Sequence, residues 1–334
     1  MKVALTYNLK KKDSSKPQDY FSEFDSAETI NAIILALQNK GHAVEAIDAQ
    51  YPHFMTYFRQ NRVDMVFNIA EGCSGRLRES EVPAILDYLD IPYTGSDTFA
   101  LALALNKGLT KKILKAENLP TPNFQLFSRG SEGLNPELKF PLIVKPNCEG
   151  SAKGINSSNV VFDQQALFAK IKEIVTNYRQ EALVEEFIEG KELTVGILEN
   201  NETTILPVME IDFSTCGKSG EYFYSWRMKE FQGNDEMGLT PTFHCPARLD
   251  KDTEHRVKEV ALKTHHAVGC FDLSRTDIRL SADGVPYVLE INPLPGLDPK
   301  ESNFPIMAYA AGMKYEDLIE SILTSAAKRR KGLN

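Results

Sequence analysis

Paired cysteine motifs are missing from this chain. Its five cysteines, Cys73, Cys148, Cys216, Cys245 and Cys270, are scattered with no CxxC spacing, which argues against a disulfide scaffold and for a reduced, cytoplasmic protein. Long apolar runs are missing too. No stretch approaches the roughly 20 residues of a membrane span, and the apolar run in Met1 to Tyr7 is too short for a signal peptide and leads straight into charge. Positive charge is in short supply: 38 Lys and Arg face 46 Asp and Glu, for a net charge of -8. With no basic stripe to offset this, general binding to nucleic acid or an anionic membrane is disfavoured. The one basic cluster, Lys328 to Lys331, follows a helical pattern, where positive charge complements a helix C-terminus. Also absent are a GxxxxGK[ST] loop, a GxGxxG motif opening a helix, a serine or cysteine nucleophile dyad, an internal repeat and a low-complexity tract. His265 and His266 fall inside a helical pattern, where packing or solvent exposure is their expected fate.

What is present is a soluble globular composition, 42% hydrophobic and 25% charged, over 334 residues, long enough for two or three domains. The expected class is α/β, α+β overall. Residues 1–95 alternate strand and helix patterns (Val3 to Tyr7, Ser26 to Lys40, Ala43 to Asp48, Met65 to Ala70, Ser80 to Leu89), a βαβ rhythm that implies a parallel, Rossmann-like sheet. Ser26 supplies an N-cap and Gly41 a stop. The polar insert Lys10 to Tyr20, with three successive lysines and Pro17, reads as a mobile loop. Residues 96–190 contain a helix from Asp97 to Asn118, strands Asn123 to Phe127, Pro141 to Lys145 and Ile155 to Phe162, a helix Asp163 to Tyr178 and a strand Ala182 to Phe187. Residues 191–334 hold strands Leu193 to Glu199 and Thr203 to Val208, a polar segment Asp212 to Cys245, a helix Asp252 to Val268, a hairpin and a final helix Tyr315 to Lys328.

Three segments carry chemistry. In the hairpin Asp277 to Asn292, alternation places Asp277 on the same face as Glu290 and Asn292. Three converging oxygen donors suit a hard divalent cation, which proteins usually hold with one or two carboxylates plus substrate phosphates. An amphipathic hairpin with acidic solvent-facing ends is the alternative. The segment Pro141 to Gly154 is a strand ending in Lys145, then a loop of small residues. The lysine can meet a phosphate and Gly150 and Gly154 let backbone amides approach one; a plain turn with an exposed lysine would look similar. In Leu183 to Glu192, Glu185 and a second carboxylate beside apolar neighbours could receive an adenine and a ribose, or the segment could be a charged linker.

Taken in order, these pieces resemble the ATP-grasp superfamily, and the D-alanine:D-alanine ligase family more closely, over nearly the whole chain after about residue 63. The resemblance implies a three-domain ATP-grasp architecture. Ile91 to Ser96 followed by Leu105-Asn106-Lys107 is similar to the family's entry to its central domain, making Lys107 the first ATP-phosphate lysine. Val144-Lys145-Pro146 with Glu149-Gly150-Ser151 resembles its VKP..EGSS segment, which implies Lys145 as the second such lysine and Glu149 and Ser151 at the phosphate loop; Ala152 replaces the second serine. Glu185 matches the adenine-contacting glutamate and Glu192 the ribose-binding one, with Phe187 and Ile188 at the hinge over the ring. Glu186 stands where a lysine is more usual. Phe223 to Lys229 resembles the loop over the phosphates, with Lys229 a third phosphate lysine and Glu230 in place of a tyrosine. Arg275-x-Asp277 looks like the family's RxD. Asp277, Glu290 and Asn292 would hold magnesium or manganese, Arg275 would face the oxyanion, and Gly296 and Ser302 would lie at the second substrate.

The departures fall where substrates bind. The family's N-terminal Gly-Gly turn with its serine and glutamate is replaced by Asn8 to Tyr20, leaving Glu23 or Asp25 to stand for the glutamate. Asn68 to Glu79 replaces the HG.GGEDG loop, and its Arg76 and Arg78 either bind a carboxylate-rich substrate or are solvated. The implied reaction activates a carboxylate as an acyl phosphate for attack by an amine, with Arg275, Ser151 and Lys229 catalytic. A lid over Phe213 to Thr242, hinged at Gly217, Gly220, Gly233 and Gly238, would exclude water. ATP and small amino-acid-like substrates are the expected partners, and a homodimer is left open. A small-molecule kinase and a non-catalytic nucleotide-binding regulator are the alternatives.

Overall fold

The computed structural model describes every residue except 12, 51–53, 131, 201, 232–236 and 333–334. Lys12 of the polar insert, Gly233 of the expected lid and the side chains of residues 330–331 lie outside the described residues.

The first sheet is parallel, in the order β2–β1–β3, and is built from β1 (Lys2–Tyr7), α1 (Ala27–Asn39), β2 (Ala43–Asp48), α2 (Phe54–Gln60), β3 (Met65–Asn68) and α3 (Glu81–Tyr88). Helix α1 starts where expected: the Ser26 side chain accepts from Thr29 N, and Gly41 takes a left-handed φ of 85° just beyond its end. Its Ile30, Ile33 and Leu37 line one face and are buried. Strand β3 ends at Asn68, two residues early, because the Asn68 side chain turns back to accept from Ala70 N. The insert Lys10 to Tyr20 is not the loose loop its composition suggests. Lys10 N donates to Asp25 O at 2.8 Å, Tyr178 Oη donates to Asp19 at 2.9 Å, and Tyr20, Phe21 and Phe24 pack edge to face.

The second sheet is antiparallel, in the order β4–β7–β5–β6. It follows α4 (Thr98–Leu105) and α5 (Lys107–Ala116), and comprises β4 (Phe124–Phe127), β5 (Leu142–Pro146), β6 (Val160–Val161), α6 (Gln164–Tyr178) and β7 (Ala182–Glu186). The single helix expected over Asp97 to Asn118 is broken at Asn106, which ends α4 and caps α5 by accepting from Leu109 N at 3.0 Å. The expected strand Ile155 to Phe162 shrinks to two residues. Asn156 caps a 3-10 turn there, and the Asn159 amide donates to Val144 O and Gly154 O, holding the chain out of the ladder.

The third sheet has six antiparallel strands: β8 (Gly190–Asn200), β9 (Glu202–Ile205), β10 (Met209–Asp212), β11 (Thr242–His244), β12 (Leu273–Ser281) and β13 (Pro286–Asn292). Its helices are α7 (Trp226–Glu230), α8 (Lys251–Val268), α9 (Asn303–Ala310) and α10 (Tyr315–Gly332). Helix α10 packs on both β8 and α1, so that Leu318, Ile319, Ile322 and Leu323 share one core with Leu198 of the third sheet and with Val3, Leu5, Ile33 and Leu37. A second core joins Leu114 and Leu119, around α5, to Leu193, Val257, Ile278 and Val288 of the third sheet. His265 is buried against Ser274, as packing rather than chemistry would have it. Among the described residues no helix is long and apolar enough to cross a membrane.

Asp272 ties these parts together. Its carboxylate accepts from Gly95 N at 2.8 Å, Ser325 Oγ at 2.9 Å and Arg329 Nη2 at 2.9 Å, and the residue is 1% exposed. Asp272→Ala is expected to lower the unfolding free energy by about 1–3 kcal/mol in urea titrations, because it leaves the buried Gly95 N–H and Ser325 hydroxyl without their acceptor. Lys40→Ala, which removes the exposed pair with Asp317, is expected to leave the urea midpoint unchanged.

Candidate active site

Strands β12 and β13 pair so that Asp277 lies opposite Glu290 and Arg275 opposite Asn292, with a bulge at Asp277/Ile278. The bulge changes the phase of β13: Val288 and Ile291 stay in the core while Glu290 and Asn292 face a cavity of about 360 Å³. Asp277 accepts from Arg275 Nε at 2.9 Å and Nη2 at 2.8 Å, from Thr194 Oγ1 at 2.6 Å and from Asn292 Nδ2 at 3.1 Å. The hairpin is therefore no solvated acidic surface.

The cavity lies between the sheets, and the broken helix aims a lysine into it. Because α5 restarts at Lys107, its side chain reaches Glu290 at 3.0 Å and Glu149 O at 2.5 Å. Lys145, at the end of β5, contacts the Glu185 carboxylate, which Lys111 holds from the other side at 2.8 Å. Glu185 is thus turned onto two lysines and 1% exposed. Glu192 pairs with Arg279 at 3.2 Å, and Arg279 lies 5.4 Å over the Phe187 ring. Burial would raise the Glu290 carboxyl, but Lys107, with Lys145 and Arg275, holds it at about 2.

The phosphate-type loop is clamped from the first sheet. Glu149 pairs with Lys153 at 3.0 Å and accepts from Gln180 at 2.8 Å. Ser151 adopts a left-handed φ of 51°, a conformation that costs about 1–2 kcal/mol for a residue with a side chain. A Cβ at Gly150 would meet Glu23 Oε1 at 2.5 Å, so only glycine admits the carboxylate that accepts from its amide at 2.8 Å. Arg78 is neither solvated nor free for an acidic ligand: it is 3% exposed, bonded to both Glu23 oxygens and donating to Cys148 O at 2.8 Å. Arg76 is exposed. Burial opposes the Glu23 charge, yet Arg78 and Lys153 hold its carboxyl at about 2.

Beyond the clamp the cavity wall is acidic. Asp25 and Glu71 line it with no side-chain hydrogen bond or ion pair among the described residues, and Glu79 pairs with Arg78 at 3.9 Å while carboxylate oxygens of Glu23, Glu71 and Glu79 lie within 4.8 Å of one another. Burial, reinforced by Asp298, pushes Asp25 up to about 7, with Lys229 opposing. Burial, reinforced by Glu23, likewise pushes Glu79 up to about 7 against the pull of Arg78. Gly296 and Ser302 line the same cavity, with Ser302 Oγ accepting from Asp298 N at 3.0 Å.

The segment after β10 closes over this space. Lys229 donates to Ser151 Oγ at 2.8 Å, Lys10 pairs with Glu230 at 3.2 Å, Trp226 Nε1 donates to Ser22 Oγ at 2.8 Å and Trp226 N to Ile155 O at 3.2 Å. Cys216, Met228 and Leu239 form its own small core.

The structure therefore brings to one cavity every residue expected at the site, from Lys107, Lys145, Glu149 and Ser151 through Glu185, Phe187, Ile188, Glu192 and Lys229 to Arg275, Asp277, Glu290, Asn292, Gly296 and Ser302. Lys111, Thr194, Arg279, Glu71 and Glu79 were not foreseen. Arg279 lies two residues past Asp277 on the same strand face, and Lys111 one helical turn past Lys107, so both spacings carried a signal.

A nucleotide-dependent ligase of the ATP-grasp class fits this fold and wall. The family model described as D-ala D-ala ligase C-terminus matches residues 113–324. A D-alanine–D-alanine ligase of Carboxydothermus hydrogenoformans is 36% identical over 315 residues, 92% of this chain and 95% of that one. The uncharacterized protein y4sG of Sinorhizobium fredii is 34% identical over 309 residues, 90% of this chain and 88% of its own. The crystal structure of Bacillus anthracis D-alanine–D-alanine ligase complexed with ATP superposes with a TM-score of 0.77 over all of both chains, at 25% identity. The chain belongs to the D-alanine–D-alanine ligase family.

Asp25 makes a pH-dependent contribution. Its carboxyl binds its proton more tightly folded than unfolded, so stability falls as pH rises from about 4 through 7. Asp25→Asn is expected to flatten this decline, gaining stability over the unaltered protein at pH 8 but not at pH 4, as read by urea unfolding at each pH.

Proposed function

We propose that this protein joins the carboxylate of an amino acid or similar molecule to an amine, using ATP and an acyl phosphate, and that residues 1–95, 96–190 and 191–334 are its three domains. One observation carries the reading: the oxygen donors of the β12–β13 hairpin and lysines from two other elements line one cavity, with Lys107 in contact with Glu290 at 3.0 Å.

A carboxylate cannot lose oxide to an amine. Transfer of the terminal phosphoryl group of ATP to the carboxylate supplies a leaving group; the amine then forms the C–N bond as the C–O bond to phosphate breaks and a proton leaves nitrogen. Lys107, Lys145 and Lys229 neutralise charge on the transferred group, which is most of what phosphoryl transfer requires. The Glu186 to Ile188 backbone meets the adenine edge and Glu192 the ribose, since the Glu185 carboxylate is occupied by lysines. Asp277, Glu290 and Asn292 fit magnesium or manganese. All are hard oxygen donors on one face, and Asn292 gives its nitrogen to Asp277, leaving its oxygen for the metal. The metal would neutralise the phosphates and hold them in line. Arg275 stabilises the oxyanion of the tetrahedral intermediate, with Ser151 and Lys229 closing over it.

Substrate choice lies at the first-sheet end, where the chain departs from the family's pattern. Arg78 is committed to Glu23, so it is no receptor for an acidic substrate, and the wall at Asp25, Glu71 and Glu79 favours an amino-bearing one. Five free thiols fit a reducing cytoplasm.

Phosphate release from ATP, measured across pairs of D- and L-amino acids with mass spectrometry of the products, is expected to rise with one pair and yield a product lighter than the two substrates by one water. A single hydroxylated compound that gains a phosphate, with no free phosphate released, would overturn the ligase reading in favour of a kinase. Asp277→Ala and Glu290→Ala are each expected to lower turnover by more than about 100-fold, since loss of mere supporting groups around a metal already costs 10–100-fold. Near-normal rates in either variant would sink the metal assignment.

A further inference from the structure

Lys111 has no place in the mechanism above. It is 1% exposed, one turn after Lys107 on α5, and lies behind the cavity wall rather than on it. Its ammonium lies 2.8 Å from Glu185 and donates to Thr121 Oγ1 at 2.8 Å, while the Thr121 hydroxyl donates to Val288 O at 2.8 Å. Glu185, equally buried, therefore has one lysine behind it and another, Lys145, beside it on the cavity wall.

The two lysines are not equivalent. Lys145 lines the cavity, and to neutralise a phosphate it must loosen its hold on Glu185. A buried carboxylate that loses its partner is strongly destabilising, so Lys145 alone would be trapped where it is. We propose that Lys111 is a positioning residue that keeps Glu185 charged and paired, so that Lys145 can turn from Glu185 to the nucleotide. The inference rests on the nucleotide-site reading above. Burial and the charge of Lys145 pull the Lys111 ammonium towards neutrality, and Glu185 pulls it back. Withdrawal of Lys145 to a phosphate removes the repulsion and leaves a one-to-one ion pair.

The test is the affinity of the full-length protein for a non-hydrolysable ATP analogue by titration calorimetry, with KM and kcat for ATP alongside. Lys111→Met is expected to weaken analogue binding and raise the KM for ATP by about tenfold or more, with kcat at saturating ATP changed less than about threefold. Lys111→Arg is expected to recover most of the affinity. Adding Glu185→Gln to Lys111→Met is expected to bind the analogue more tightly than Lys111→Met alone, because no carboxylate remains to hold Lys145. A purely structural role would lower kcat and thermal stability together and would not be rescued by removing a second charge. Binding by Lys111→Met within twofold of the unaltered protein overturns the proposal. If Lys111→Met does not fold, the comparison is made on Glu185→Gln: there the added Lys111→Met change is expected to alter binding less than twofold, and a further tenfold loss overturns the proposal. Failure of the unaltered protein to bind the analogue overturns the nucleotide site itself, and this inference with it.

Discussion

Taking a carboxylate out of water is so unfavourable that it survives ionised only where a cation comes with it, and the walls of this cavity are organised around that requirement. Glu290 is met by Lys107, Glu185 by Lys111 and Lys145, Glu192 by Arg279, and Glu23 by Arg78. Lys107–Glu290 joins α5 to the third sheet and Lys153–Glu23 joins the phosphate-type loop to the first-sheet region, so ion pairs draw the three units together while they prepare the site. An incoming polyanion does not bring charge into a neutral cleft. It enters competition for cations that already have partners, and the site's affinity is the difference between two sets of ion pairs.

Much of this was legible from residue order. The alternation of β12 and β13 predicts the shared face of Asp277, Glu290 and Asn292, and the cap signals around α1 predict its ends, because both depend on near neighbours and fixed periods. The break at Asn106 was not legible: an asparagine in an otherwise apolar and basic run reads as a helix interior until Asn147 is brought against it to bond Lys107 N and Gly108 N. The two-residue β6 was hidden for the same reason, since what removes its first half is the Asn159 side chain reaching β5. Arg78 read as a loop residue because its partner, Glu23, is 55 positions away. What sequence patterning conveys is local geometry; charges that pair across elements are invisible until the fold closes.

The contrast between the two ends of the cavity follows. At the hairpin end, carboxylates and cations alternate and nearly every charge is matched. At the first-sheet end Asp25 and Glu71 are unmatched, and burial shifts them towards their neutral forms. The two loops that depart most from the family's pattern, residues 8–20 and 68–79, build this end, whereas the lysines and hairpin carboxylates that match the pattern line the other end of the same space.

The core shared by β1 and α10 has a consequence for how the chain comes to be folded. Strand β1 is made well before α10, yet Val3 and Leu5 share one buried cluster with Ile319 and Leu323. The parallel sheet therefore keeps an apolar face open until α10 is made, and contacts of such long sequence separation form slowly. The first sheet waits for α10 before its core is whole, and the cavity wall that this sheet builds is fixed only once that helix has docked.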